Sequence, residues 1–176
     1  LEVECLLRLS MQKPGKFLLL LLSALILTSC TTDGGVSPMN EQNQSGINLP
    51  KVTGEKGGKP NISAPSGQPP TSLEMKDIFV GNGKEAVATS VLEVHYTLMA
   101  WSSGVLVESS WDSGQSATFP LSGVILGWQQ GIPGMKEGGR RLLVIPPDLG
   151  YGAQGAGGAI GPNETLIFVV DLIKVN

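Results

Sequence analysis

Between Leu73 and Asn176 a single segment can form a helix, Val124 to Gln130, and it is short, with Gly123 before it and Gly131 after it. Everything else there that carries a pattern is extended. In Val91-Leu92-Glu93-Val94-His95-Tyr96-Thr97-Leu98, the residues Leu92, Val94, Tyr96 and Leu98 alternate with Glu93, His95 and Thr97, the period of two of a half-buried strand. Leu73 to Val80, Val105 to Glu108, Arg140 to Ile145 and Thr165 to Val175 supply further strands, punctuated by Gly81-Asn82-Gly83, Ser102-Ser103-Gly104 and Pro146-Pro147. An antiparallel sheet has to cover one face, and the helix, carrying Val124, Ile125 and Trp128, is the only candidate lid. The class is therefore α+β. The loop from Pro146 to Glu164 is glycine-rich, but Tyr151 and Ile160 within it favour a flap with apolar contacts over a disordered tail. It has no Gly-x-x-x-x-Gly-Lys-Ser/Thr pattern and so does not read as a phosphate cradle.

The chain before Leu73 reads differently. Lys13 and Lys16 precede an apolar run from Phe17 to Leu27, about half the length a membrane-spanning helix needs. Residues 11–29, starting at Met11, read as a signal peptide, and residues 1–10 as an over-extended start. Leu27-Thr28-Ser29-Cys30 resembles the bacterial lipoprotein box, in which the cysteine is acylated and becomes the mature N-terminus. Two or more acyl chains give stable anchoring where one is marginal. Thr31 rather than Asp after Cys30 leans toward the outer membrane of a Gram-negative cell, so the expected location is the cell envelope, lipid-anchored, with the domain facing the periplasm or surface. From Thr31 to Thr71 the chain is Gly, Ser, Pro, Asn and Lys with scattered single hydrophobes. It is expected to be a disordered tether through residue 72, with an r.m.s. span of roughly 35 Å.

Composition removes several kinds of chemistry. Twelve Lys and Arg against 15 Asp and Glu give a net charge of -3, with no basic stripe for nucleic acid. The 2 cysteines, Cys5 and Cys30, lie outside the foldable part, and His95 is the 1 histidine, so no metal site or cofactor is expected and a Ser-His-Asp triad is a poor fit. Any catalysis should not need a strong base.

The order of motifs is more specific than any of them alone. Val94-His95-Tyr96-Thr97, Glu108-Ser109-Ser110, Phe119-Pro120-Leu121, Val124-Ile125-Leu126-Gly127-Trp128, Gly138 to Leu143, Ile145 to Gly152 and Asn163 to Phe168 follow one another over Leu73 to Asn176. Together they resemble the FKBP-type (macrolide-binding) peptidyl-prolyl cis-trans isomerases over about a full family domain. The resemblance implies an antiparallel half-barrel wrapped around one short α-helix, with an apolar pocket between them. It puts Trp128 at the pocket floor, Tyr96, Phe168, Val124, Ile125 and Ile160 in its walls, and Tyr151 at the rim. It gives Val107 and Phe119 substrate-contacting positions, sets Glu108 against the Tyr96 hydroxyl, and makes the Ile125 N–H and the Tyr151 hydroxyl the donors to substrate carbonyls. Proline-containing polypeptides, and a macrolide, are the implied ligands. A duller reading has Trp128, Tyr96 and Phe168 as core, His95 as a satisfied strand residue, and Ser109 and Ser110 as local hydrogen-bonding groups.

The chain departs from the common family pattern where Val107-Glu108 replaces Phe-Asp, where Ala117 replaces an aromatic wall residue, and where Ala156 stands in place of a frequent histidine. The longer Glu108 is expected to lose the bond to the Tyr96 hydroxyl, although Phe119, two positions beyond Ala117, lies on the matching strand face. The expected result is a wider pocket, reduced catalysis and weaker macrolide binding. A proline-peptide-binding chaperone without turnover, and an envelope spacer, are the alternatives to an isomerase of envelope polypeptides. With no long helical arm before the domain, a monomer is expected.

Overall fold

The computed structural model describes residues 48–176. The lipoprotein-type Cys30, the signal segment 11–29, residues 1–10 and the tether as far as residue 47 lie outside the described residues. The elements are β1 (Val52–Thr53), β2 (Asn61–Ile62), β3 (Glu74–Phe79), β4 (Val91–Ala100), β5 (Leu106–Ser109), β6 (Ala117–Pro120), α1 (Leu126–Gly131), β7 (Arg140–Ile145) and β8 (Leu166–Val175). The fold is the expected antiparallel sheet with one short helix. Its strands run β3-β7-β8-β4, and the far edge of β4 is shared by β5 and β6. β6 is the one sheet strand that the alternation pattern leaves out. Four residues pairing with Val91 to Val94 are too few to show a period.

A helix of 6 residues has little stability of its own, so α1 depends on what it packs against. Gly127 lets it lie on β7. A Cβ there would meet the Ile145 side chain at 2.4 Å. At the other end Arg141 donates from Nη1 to the Gly131 carbonyl at 2.8 Å, placing a cation where the helix carbonyls lack partners. Arg141 is itself held by Asp77 of β3 at 2.7 Å. The helix-facing side of the sheet carries Leu92, Val94 and Leu98 of β4, Leu143 and Ile145 of β7, and Phe168 and Val170 of β8, all buried with Trp128 and Ile132.

The opposite face is also buried, and here the structure differs from the expected tether. Met99, Trp101, Leu142, Val144, Ile167 and Val169 form a second core, completed by Ile62 of β2 with Leu49 and Val52 against it. Residues 48–72 therefore do not run as a free linker. β1 and β2 pair antiparallel, Val52 opposite Ile62. The Gly58 carbonyl accepts from Arg140 Nη2, and Lys59 pairs with Asp112. The physical reason lies in β7, whose 6 residues are all buried. A strand that is apolar on both faces needs a cover on both.

Candidate active site

Trp128, on α1, is buried at 4 % exposure, and three rings stand nearly perpendicular to its indole. Tyr96 meets it at 5.9 Å and 81°, Phe119 at 6.0 Å and 86°, and Phe168 at 5.3 Å and 85°. Each comes from a different strand, Tyr96 from β4, Phe119 from β6 and Phe168 from β8, because β4 pairs with both of the others. Edge-to-face contacts of this kind each add roughly 0.5 to 1.5 kcal/mol beyond burial. The result is an indole floor with aromatic walls around an open cavity of about 350 Å³. Val124 and Ile125 line it from the segment leading into α1, and Tyr151 from the flap. Tyr151 is 39 % exposed, as a rim residue should be.

The polar groups are few. The Tyr96 hydroxyl donates to Glu108 Oε1 at 2.7 Å. The bond expected to be lost is therefore made, and the register explains it. Glu108 sits opposite Leu98, so Tyr96 is its diagonal neighbour on the same face, a separation the longer glutamate side chain suits. Burial, then this hydrogen bond and the Glu108 charge, push the Tyr96 phenol well above its usual range. It stays a neutral donor. The Tyr96 backbone is held from behind, its N–H donating to Ser110 Oγ at 2.9 Å and its carbonyl accepting from Ser109 Oγ at 3.3 Å. His95 points away from the cavity, stacked on Trp111 at 3.9 Å with Nδ1 against Ser110 Oγ. Among the described residues the Ile125 N–H and the Tyr151 hydroxyl form no hydrogen bond to protein, so both are free to donate to a ligand.

Residues 83–173 match the family described as FKBP-type peptidyl-prolyl cis-trans isomerase. The chain belongs to that family. It is 50% identical over 116 residues to a probable FK506-binding protein of Corynebacterium glutamicum, covering 66% of this chain and 98% of that one. It is 44% identical over 103 residues to the peptidyl-prolyl cis-trans isomerase Mip of Coxiella burnetii, covering 58% of this chain and 44% of that one. The crystal structure of a peptidyl-prolyl cis-trans isomerase from Pseudomonas syringae superposes with a TM-score of 0.54 at 35% identity, over 59% of this chain and 75% of that one.

In this FKBP-type domain two of the expected contact residues stand back from the cavity. Val107 is half-buried against the main core, at the irregularity where β5 shifts register on β4. Ile160 is buried beneath the flap in the same core cluster as Trp128 and Phe168, its backbone bonded both ways with that of Ala156. Gly155 makes that turn possible, since a Cβ there would meet the Ile160 carbonyl oxygen at 2.2 Å. Neither Ala117 nor Ala156 lines the cavity, and Phe119 does. Of the grounds for a weakened pocket, the lost Tyr96 bond is absent from this geometry, whereas no aromatic ring stands at Val107 or Ala117 and Phe119 supplies the wall ring on that side. Sequence reasoning missed Leu98 and Gly123, which do line it. Leu98 follows Tyr96 by two on β4 and was available from the alternation, whereas Gly123 carries no signal beyond preceding the helix.

Proposed function

We propose that the chain isomerises X-Pro bonds of bacterial envelope polypeptides in the cavity above Trp128, and that a macrolide competes for the same cavity. One observation carries this reading: three aromatic rings boxed around a buried indole, open on one side, with donors at the edge and, among the lining residues, a single carboxylate, Glu108, that accepts from the Tyr96 hydroxyl. An X-Pro bond has cis and trans forms within ~0.5 to 1 kcal/mol but a barrier of about 18 to 20 kcal/mol, because rotation breaks amide resonance. No covalent bond changes. The twisted transition state has lost much of the amide dipole, so a water-poor apolar box favours it over the planar ground state. A millionfold gain needs roughly 8 kcal/mol, to which desolvation, a held ring and donors to the flanking carbonyls contribute together. Tyr96, kept neutral, adds a wall and an oriented hydroxyl without introducing charge.

The envelope setting rests on Cys30 and the basic and apolar segments before it, which have the chemistry of a lipoprotein signal. Mass spectrometry of the mature protein tests it. Acyl mass on Cys30 is the expected result, and an unmodified thiol overturns it. The catalytic reading is tested by a protease-coupled assay on a short X-Pro peptide. Tyr151→Phe should lower kcat/KM about tenfold, and a macrolide should abolish the activity. Peptide binding without acceleration would assign the cavity to a binding module instead.

A further inference from the structure

The Val124–Ile125 peptide lies between two regular segments and belongs to neither. Val124 is extended, φ -102° and ψ 176°, as is Ile125 at -57° and 152°. The first bonds of α1 go to the Ile125 carbonyl, from the N–H groups of Trp128 at 3.0 Å and Gln129 at 3.2 Å. The helix ladder therefore leaves the Val124 carbonyl one residue outside its reach. Gln129 reaches it instead, its side-chain Nε2 donating to the Val124 oxygen at 2.7 Å. One residue thus holds both carbonyls that bracket Ile125, one through its main chain and one through its side chain.

The carbonyl and N–H of a trans peptide point in opposite directions in one rigid plane, so fixing the Val124 oxygen fixes the Ile125 N–H. Ile125 lines the cavity, and its N–H has no protein partner among the described residues. We infer that Gln129 is a positioning residue for isomerisation, locking the Val124–Ile125 peptide plane so that the Ile125 N–H faces the carbonyl of a bound substrate. The assignment rests on the catalytic reading above. Gln129 is half-buried beside the cavity without lining it, and its neighbour Gln130 is exposed and makes no such bond. A pinned carbonyl also leaves its amide more polarised, which strengthens the N–H as a donor.

The residue type makes the inference testable by pH. An ionised glutamate can only accept, so it cannot bond a carbonyl, whereas a protonated one can donate. Methionine has similar reach and no donor. The full chain is compared as wild type, Gln129→Glu, Gln129→Met and Gln130→Glu, reading kcat/KM on an X-Pro peptide, macrolide affinity by Trp fluorescence, and thermal midpoint. Gln129→Met should lose about fivefold in kcat/KM and in affinity at every pH. Gln129→Glu should show the same loss at pH about 8 and recover as pH falls toward the glutamate range. Gln130→Glu, carrying the same added charge, should match wild type. Wild-type kinetics in Gln129→Met overturn the assignment, as does a pH-independent loss in Gln129→Glu matched by a lowered thermal midpoint. In both cases an active wild type leaves the isomerase reading standing, whereas a wild type that does not accelerate exchange overturns both.

Discussion

Glu108 reaches Tyr96 because it is long, and its hydrogen bond and charge add to burial in raising the phenol above the ordinary tyrosine range. Burial is the larger cause and Glu108 the second, so Glu108→Gln should lower the Tyr96 titration midpoint while leaving it above the ordinary tyrosine value. Ultraviolet difference titration in a Tyr151→Phe background reads Tyr96 alone, since the chain has 2 tyrosines. An unchanged midpoint would mean that the bond contributes nothing in solution. At this scale the sequence was most informative where side-chain type implies a role by itself. Trp128, Tyr96, Phe168 and Tyr151 all reach the cavity from the places their motifs implied. It was least informative where reach depends on register. The fate of the Tyr96 bond turned on the pairing of Glu108 with Leu98, and Val107 falls at the register shift that follows it, neither of which has a residue signature.

Among the elements, the paired strands β1 and β2 are where reading and structure part. Leu49, Val52 and Ile62 are single hydrophobes spread through Gly, Pro and Lys, and a strap that buries one residue at a time leaves no period to find. The clue lay elsewhere, in the unbroken apolar run Leu142-Leu143-Val144-Ile145 and in Thr97, which is fully buried with its hydroxyl bonded to Ser109 at 2.9 Å. Both announce a sheet covered on two sides. Ile62→Ala should therefore destabilise the domain by about 2 to 4 kcal/mol in urea unfolding. Because the strap and the cavity lie on opposite faces of the sheet, kcat/KM of the folded variant should stay close to wild type. A loss of activity without a loss of stability would contradict that separation. The helix was legible to within two residues, since its bounding glycines and Trp128 mark it. Its dependence on Arg141 and on the bare face of Gly127 was not, because both partners are distant in sequence.

For the molecule as a whole, one carboxylate ties distant parts of the chain and gives stability an acid dependence. Glu137 accepts from the Val175 N–H at 2.7 Å and the Lys84 N–H at 3.3 Å, tying the end of β8 to the turn before β4. These two bonds hold its carboxyl below the ordinary glutamate range. A lowered carboxylate contributes stability that is present above its unfolded-state pKa and is lost as pH falls through the folded value. Glu137→Gln should accordingly be less stable than wild type at neutral pH, with the difference closing on acidification. A pH-independent difference would contradict the linkage. Function makes no comparable demand on protonation, because the reaction moves no proton, so kcat/KM should be flat between about pH 6 and 8.

A proline ring held over the Trp128 indole should turn about its peptide bond faster than it does in water. Magnetisation-exchange NMR on a proline peptide measures this without a coupled protease. Wild type should bring cis/trans exchange from tens of seconds into the observable range, and folded Trp128→Leu should return it to the uncatalysed rate. Wild-type exchange in a folded Trp128→Leu variant would mean that the indole is not the floor on which the ring turns.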